Sequence, residues 1–143
     1  MNGKMPDLAA YAGKLELYSL QVLTDTNWEQ IGKTLLNYIS SACQARGCLI
    51  GHIKGFMNLG EAGYYYLSNV SSDQETSSRG EGRGNTSKSY LDLNVLVYGI
   101  EKFELNDLVS RTTANLADLF SLTYNVQEAH HEHTHLLQID SSN

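Results

Sequence analysis

Three scarcities narrow what this chain can be. No apolar run in its 143 residues approaches the roughly twenty that span a bilayer. The opening stretch MNGKMPDLAAYAGKLEL carries a lysine but no apolar signal core, so a cytoplasmic protein with no membrane partner is expected. Basic residues number ten against sixteen acidic ones, for a net charge of −6. Scattered along the sequence, they offer no patch that would displace counterions from phosphates, so no nucleic-acid partner is expected either. The two cysteines, Cys43 and Cys48, have the wrong spacing for a redox pair. Cys43 falls on the apolar stripe of an expected helix, where a thiol acts as a small hydrophobe. Two reduced thiols are therefore expected rather than a disulfide.

What is present reads as one α+β domain over residues 1–143. KLELYSLQVL (Lys14–Leu23) is rich in strand formers. Thr26 and Glu29 then have the spacing of a capping box, and Trp28, Ile31, Leu35, Tyr38, Ile39 and Ala42 recur at helical period, with Gly47 as the stop. CLIGHIKGFM (Cys48–Met57) and YYYLSNV (Tyr64–Val70) read as a hairpin. Residues 72–88 lack large apolar side chains and read as a flexible loop, because such a stretch buries too little surface to offset its ordering entropy. YLDLNVLVYGI alternates strictly, with Leu91, Leu93, Val95 and Val97 on one side. Asn106 is the expected cap of a second helix with a stripe at Leu108, Val109, Thr112, Leu116, Leu119, Phe120 and Thr123. A His-rich segment, 128–143, ends the chain, and its HLLQI can return as a short strand. The expected fold is a two-layer sandwich. It pairs a mostly antiparallel sheet of four or five strands with two helices on one face, as a ferredoxin-like variant with one extra hairpin strand.

Strict alternation would place Leu49, Gly51, Ile53, Gly55 and Met57 under the helices, the glycines admitting a close helix. Ile50, His52, Lys54 and Phe56 would then face the other way, beside Tyr90, Leu96 and Tyr98, joined by either Tyr64 and Tyr66 or Tyr65. Phe56, Tyr90 and Tyr98 are the expected interface residues, because tyrosine offers area with a polar handle. A second copy (a dimer), a protein partner, or the C-terminal segment folded back can cover such a face. His52 and Lys54, roughly 6–7 Å apart along one strand, are the candidate anion or ligand site. The alternative is an ordinary solvent or interface contact.

HHEHTH near the end supplies the candidate metal ligands His131, His133 and His135. In a strand these three share a side; in a helix continuing from Tyr124, His131 and His135 stand one turn apart. Imidazoles suit Zn or Ni, with Glu128, Glu132 or a second subunit completing a site. A solvated turn explains the same residues without function. No nucleophile elbow or other catalytic constellation is present, so no enzyme is expected.

The stretch GCLIGHIKGFM, with Gly51, His52, Ile53 and Lys54 as its motif, resembles the domain that follows the GTPase module in some CobW-like proteins. The resemblance runs from about Leu15 to Phe120. Because that family handles metals and metal cofactors, it implies an accessory domain whose partner is a GTPase. The chain has no G-x-x-x-x-G-K-[ST] cradle for nucleotide phosphates, and the resemblance carries no catalytic residue onto it. The leading expectation is a non-catalytic, self-associating interaction domain linked to metal or metal-cofactor handling. The alternatives are a transition-metal binding or delivery protein and an anion-binding protein using the GHIK strand.

Overall fold

The computed structural model describes residues 7–128. Alternating apolar residues begin earlier than Lys14, and β1 accordingly runs over Leu8–Thr24, burying Ala9, Tyr11, Leu15 and Leu17 along one side. α1 follows immediately, over Asp25–Ala45. Its cap is Thr24 rather than Thr26, with the Thr24 hydroxyl accepting the Asn27 backbone N–H at 3.0 Å. Thr26 is drawn into the helix because β1 leads into α1 without a loop. Gly47 closes the helix at φ +79, as the sequence suggested. Cys43 is buried on the stripe as expected; Tyr38 is exposed, and the buried stripe is wider than expected, taking in Gly32, Leu36 and Ser40.

β2 (Leu49–Asn58) and β3 (Gly63–Asn69) form the expected hairpin. β4 (Ser77–Gly82) then pairs antiparallel with β3, and β5 (Asn85–Tyr98) returns through the middle of the sheet. α2 (Lys102–Phe120) starts before the expected Asn106 cap. Glu101 and Glu104 form a reciprocal capping box there, a signal that outranks the lone asparagine. Leu119 is exposed, and Thr123 belongs to β6 (Leu122–Glu128) rather than to the helix.

The structure is α+β with a six-stranded, wholly antiparallel sheet in the order β4-β3-β2-β5-β1-β6. β1 and β2 both run antiparallel to the β5 that separates them, and α1 joins them. β5 and β6 flank β1 in the same way, joined by α2. Two interleaved split β-α-β units thus form the frame, extended at one edge by β3 and β4. Both helices lie on one face. A side chain at Gly32 of α1 would collide with Met57 and Leu67, and Val109 and Thr113 of α2 line one cleft with Tyr11 of β1 and Val126 of β6. Between the layers Trp28, Leu35, Leu36, Ile39, Ile53, Leu91, Leu93 and Leu105 are fully buried. At Gly55 the expected close approach is present, with Leu36 of α1 packed above it. No helix among the described residues is long and apolar enough to cross a membrane.

Two further strands, β4 and β6, raise the count above the expected four or five. Both are edge strands, held by backbone pairing on one side rather than by apolar side chains. Gly80 lets β4 lie against β3, since a Cβ there would fall 2.1 Å from the Tyr64 carbonyl oxygen.

The reading of 72–88 as a structureless loop is therefore overturned. Besides carrying β4 and the start of β5, the segment is tied down at both ends. Asn37 Oδ1 of α1 accepts the backbone N–H of Thr76 at 2.9 Å and its hydroxyl at 2.7 Å. The Asn69 amide donates to the Thr76 hydroxyl at 3.2 Å and to the Gln74 carbonyl at 3.2 Å. At the other end the Asp25 carboxylate accepts the Gly84 N–H at 3.1 Å, and the Trp28 indole donates to the Thr86 carbonyl at 2.8 Å. Polar anchors do here what apolar burial does elsewhere.

Candidate functional site

The face of the sheet away from the helices is the candidate site, and a bulge decides what it carries. β2 and β5 stay in register from Asn58 to His52, then slip at Gly51, so that Ile50 pairs with Val97 and Leu49 with Tyr98. The slip inverts the last two residues relative to strict alternation. Ile50 turns toward the core and packs on it, while Leu49 turns to the open face and is 66% exposed. The expected placement of both residues is corrected by this one irregularity. Tyr64 and Tyr66, not Tyr65, join the open face; Tyr65 is buried under α1.

Cross-strand register sorts the open face into rows. From β4 toward β6, one row holds Arg79, Tyr66, Phe56, Asp92, Lys14 and Gln127. The next holds Ser77, Ser68, Lys54, Asn94 and Ala12. Beyond it come His52, Leu96 and Ala10, and then Leu49, Tyr98 and Leu8.

The face thus has two unlike halves. The strands at Leu8, Ala10, Leu49, Leu96 and Tyr98 carry no charged side chain on this half, which includes the half-buried His52; the Lys102 ammonium of α2 donates to the Ala10 carbonyl beside it. The other half is aromatic and charged: its cations share the face with Asp92 and with Glu81 and Glu16, which stand in the row Glu81, Tyr64, Asn58, Tyr90, Glu16. Phe56, Tyr64 and Tyr66 form a cluster with ring centroids 4.9 Å apart for Phe56–Tyr66 and 5.8 Å for the edge-on Tyr64–Tyr66 pair. Arg83 lies 6.0 Å from the Tyr64 ring centre, and Lys88 lies 5.3 Å from that of Tyr90. Lys14 pairs with Asp92 at 3.5 Å. Basic residues scattered in the sequence are therefore gathered here: Lys14, Lys54, Arg79, Arg83 and Lys88 come from separate strands and one turn. Antiparallel register brings together residues that sequence distance keeps apart.

The expected interface residues all lie on this face but in different places. Phe56 belongs to the aromatic cluster. Tyr90 and Tyr98 sit toward opposite ends of β5, roughly 27 Å apart along the strand. Lys54 borders a concavity of about 680 Å³, together with Phe56, Tyr66, Arg79, Asp92 and Asn94. His52 lies one row further on, beside Leu96 and outside the concavity's lining. Arg79 lies in the 72–88 segment expected as a loop; its place in edge strand β4 sets it opposite Tyr66.

Three groups on the helix side of the sheet titrate abnormally. Burial pushes the Cys43 thiol up to about 12 and raises that of Cys48. Neither cysteine is in a disulfide. Burial, reinforced by the nearby Asp25 and Glu29 carboxylates, pushes the Tyr65 phenol up to about 12. That phenol also donates a 3.3 Å hydrogen bond to Asp25. These are structural hydrophobes and anchors, away from the open face.

His131, His133 and His135 lie outside the described residues, as does HLLQI. A helix continuing from Tyr124 is excluded as far as Glu128, because Leu122–Glu128 is a strand. Among the described residues no three His, Cys, Asp or Glu side chains converge on a metal-sized site. No family model matches the chain, and neither a curated protein nor a solved structure does.

Proposed function

We propose that the protein is a non-catalytic interaction module that associates with a second copy of itself through the apolar half of its open sheet face, on a ferredoxin-like frame. The observation that carries the reading is the row pair Leu8–Tyr98–Leu49 and Ala10–Leu96–His52. Leu8 is 54% and Leu49 66% exposed there, and no described helix lies over them. In a two-fold interface the same patch is buried on both copies, so a net charge on it is repelled by the copy's. A chain of net charge −6 repels its copy over most of its surface, and this patch is where contact carries no such cost. Exposed apolar groups of this extent on a sheet mark association sites.

Sedimentation equilibrium of the full chain tests this. The expected mass at micromolar concentration is twice the 15.9 kDa of one chain. Tyr98→Glu, which puts a charge and its copy into the contact, should return the protein to one chain's mass with its circular dichroism spectrum unchanged. A native protein that stays monomeric, or a Tyr98→Glu variant that still dimerises, overturns the reading. Comparing the full chain with one ending at Gln127 separates self-association from coverage by the C-terminal segment.

A further inference from the structure

We propose that the concavity between Lys54 and Arg79 binds a small planar anion, a flat aromatic or heteroaromatic ring bearing a carboxylate or phosphate. The site stands apart from the self-association patch. Its floor is made by Phe56 and Tyr66, whose ring centres are 4.9 Å apart and tilted by 40°. Tyr66 is 53% exposed, so a ring laid on this floor gains contact area and aromatic packing together.

Two cations border the floor. Lys54 projects from the row beside Phe56, and Arg79 is the cross-strand partner of Tyr66. Neither has an ion pair among the described residues, whereas Lys14, Arg46 and Arg111 are each paired with a carboxylate. The acid in the lining, Asp92, is already met by Lys14 at 3.5 Å. The concavity therefore has uncompensated positive charge inside a chain whose net charge is −6. An arginine and a lysine left unpaired beside this aromatic floor recognise a negative group held at the rim of a ring. Asn94 and Ser68, from the row that carries Lys54, add neutral donors and acceptors for the ligand's polar edge.

Size favours a small molecule over a strand or a chain. About 680 Å³ falls within the range of ligand pockets, roughly 300–1,000 Å³. Carboxylate and phosphate ligands share the recognition chemistry, so the probes must separate them.

Isothermal titration of the full chain with adenosine monophosphate and with indole-3-carboxylate supplies a phosphate and a carboxylate on a planar ring. Inorganic phosphate and indole are the controls that carry one group without the other. At least one of the two ring-bearing anions should bind saturably, with each control about tenfold weaker or more, because charge-assisted hydrogen bonds and ring stacking are both needed. Lys54→Ala and Arg79→Ala should each weaken binding by about tenfold with unchanged circular dichroism. Tyr98→Glu should leave it intact, so failure of the dimer and failure of this site are distinguishable. Several outcomes overturn the proposal. These are no saturable binding of either probe at millimolar concentration, controls that bind equally well, or cation variants that bind like the native chain. Binding of an octathymidylate more than about tenfold tighter than either probe would also overturn it, in favour of a single-stranded nucleic acid.

Discussion

Replacing Leu49 and Ile50 by serine, one at a time, asks two questions of two adjacent residues. Under strict alternation Leu49 is a core residue and Ile50 a surface one. The slip at Gly51 exchanges them, leaving Leu49 66% exposed and Ile50 packed against the core. Full burial of a leucine side chain contributes about 1.5–3 kcal/mol, so covering the remaining two-thirds of Leu49 in a dimer contributes about 1–2 kcal/mol per copy. Two copies give about 2–4 kcal/mol, and Leu49→Ser should weaken self-association by roughly thirty- to several-hundred-fold. Its stability as a monomer should barely change. Ile50→Ser removes partly buried core contacts and should cost about 2 kcal/mol, a fall of roughly 6–10 °C in Tm. The assays are sedimentation equilibrium for association and thermal unfolding at a concentration low enough to hold all variants monomeric. A Leu49→Ser protein that unfolds early beside an unaffected Ile50→Ser would refute the bulge. Two variants that both dimerise normally would refute the patch.

Four other outcomes can be tested. Asn37→Ala strips Thr76 of the acceptor for its backbone N–H and leaves a buried donor unmet, so stability should fall by about 1–3 kcal/mol. Shortening residues 72–88 to a four-residue turn should be at least as damaging; a native Tm in the shortened chain would mean the anchors do not hold. Cys43, pushed up to about 12, should resist alkylation at pH 8 in the native protein and react on unfolding. Because its folded value lies above its unfolded one, its contribution to stability is complete below about pH 9. It is lost as pH rises toward 12, at about 1.4 kcal/mol per pH unit. Rapid native-state alkylation would place the thiol in solvent. The HHEHTH segment, outside the described residues, should bind Zn or Ni and not Mg, with affinity falling as pH drops through about 6.5. Equal titration heats for the native chain and a His131→Ala/His135→Ala variant would leave it without a metal role.

Helix α1 was legible because its stripe, from Trp28 through Ile39, repeats over many residues, and the helix layer and the β2–β3 hairpin followed from equally long patterns. Composition failed at Ser77–Gly82. It measures how much apolar surface a segment can bury, but an edge strand is held by main-chain bonds to its neighbour. Hydrogen-bonded anchors such as Asn37–Thr76 leave no periodic trace, since they join positions 39 residues apart. The caps failed for a related reason. Thr26–Glu29 matches the capping pattern, but β1 runs directly into the helix and hands the cap to Thr24. A local motif proposes a boundary, and the neighbouring element fixes it.

The open face shows what register adds to alternation. Alternation placed Phe56, Tyr90 and Tyr98 on one side, correctly, but it says nothing of which residues on separate strands become neighbours. Pairing decides that Tyr66 lies between Arg79 and Phe56, and that Lys54 lies between Ser68 and Asn94. It also splits a face that looked uniformly aromatic into an apolar half and a charged, aromatic one. The glycine at the head of the GHIK motif matters most here. By placing the bulge at Gly51, β2 sends Ile50 into the core and Leu49 outward, while His52 and Lys54 keep their outward positions. The same strand can therefore offer apolar surface to a second copy at one end and a lysine to an anion further along. A bulge-free β2 would leave Lys54 in place and remove Leu49 from the patch. Sheet register, more than any single side chain, separates the two proposed sites.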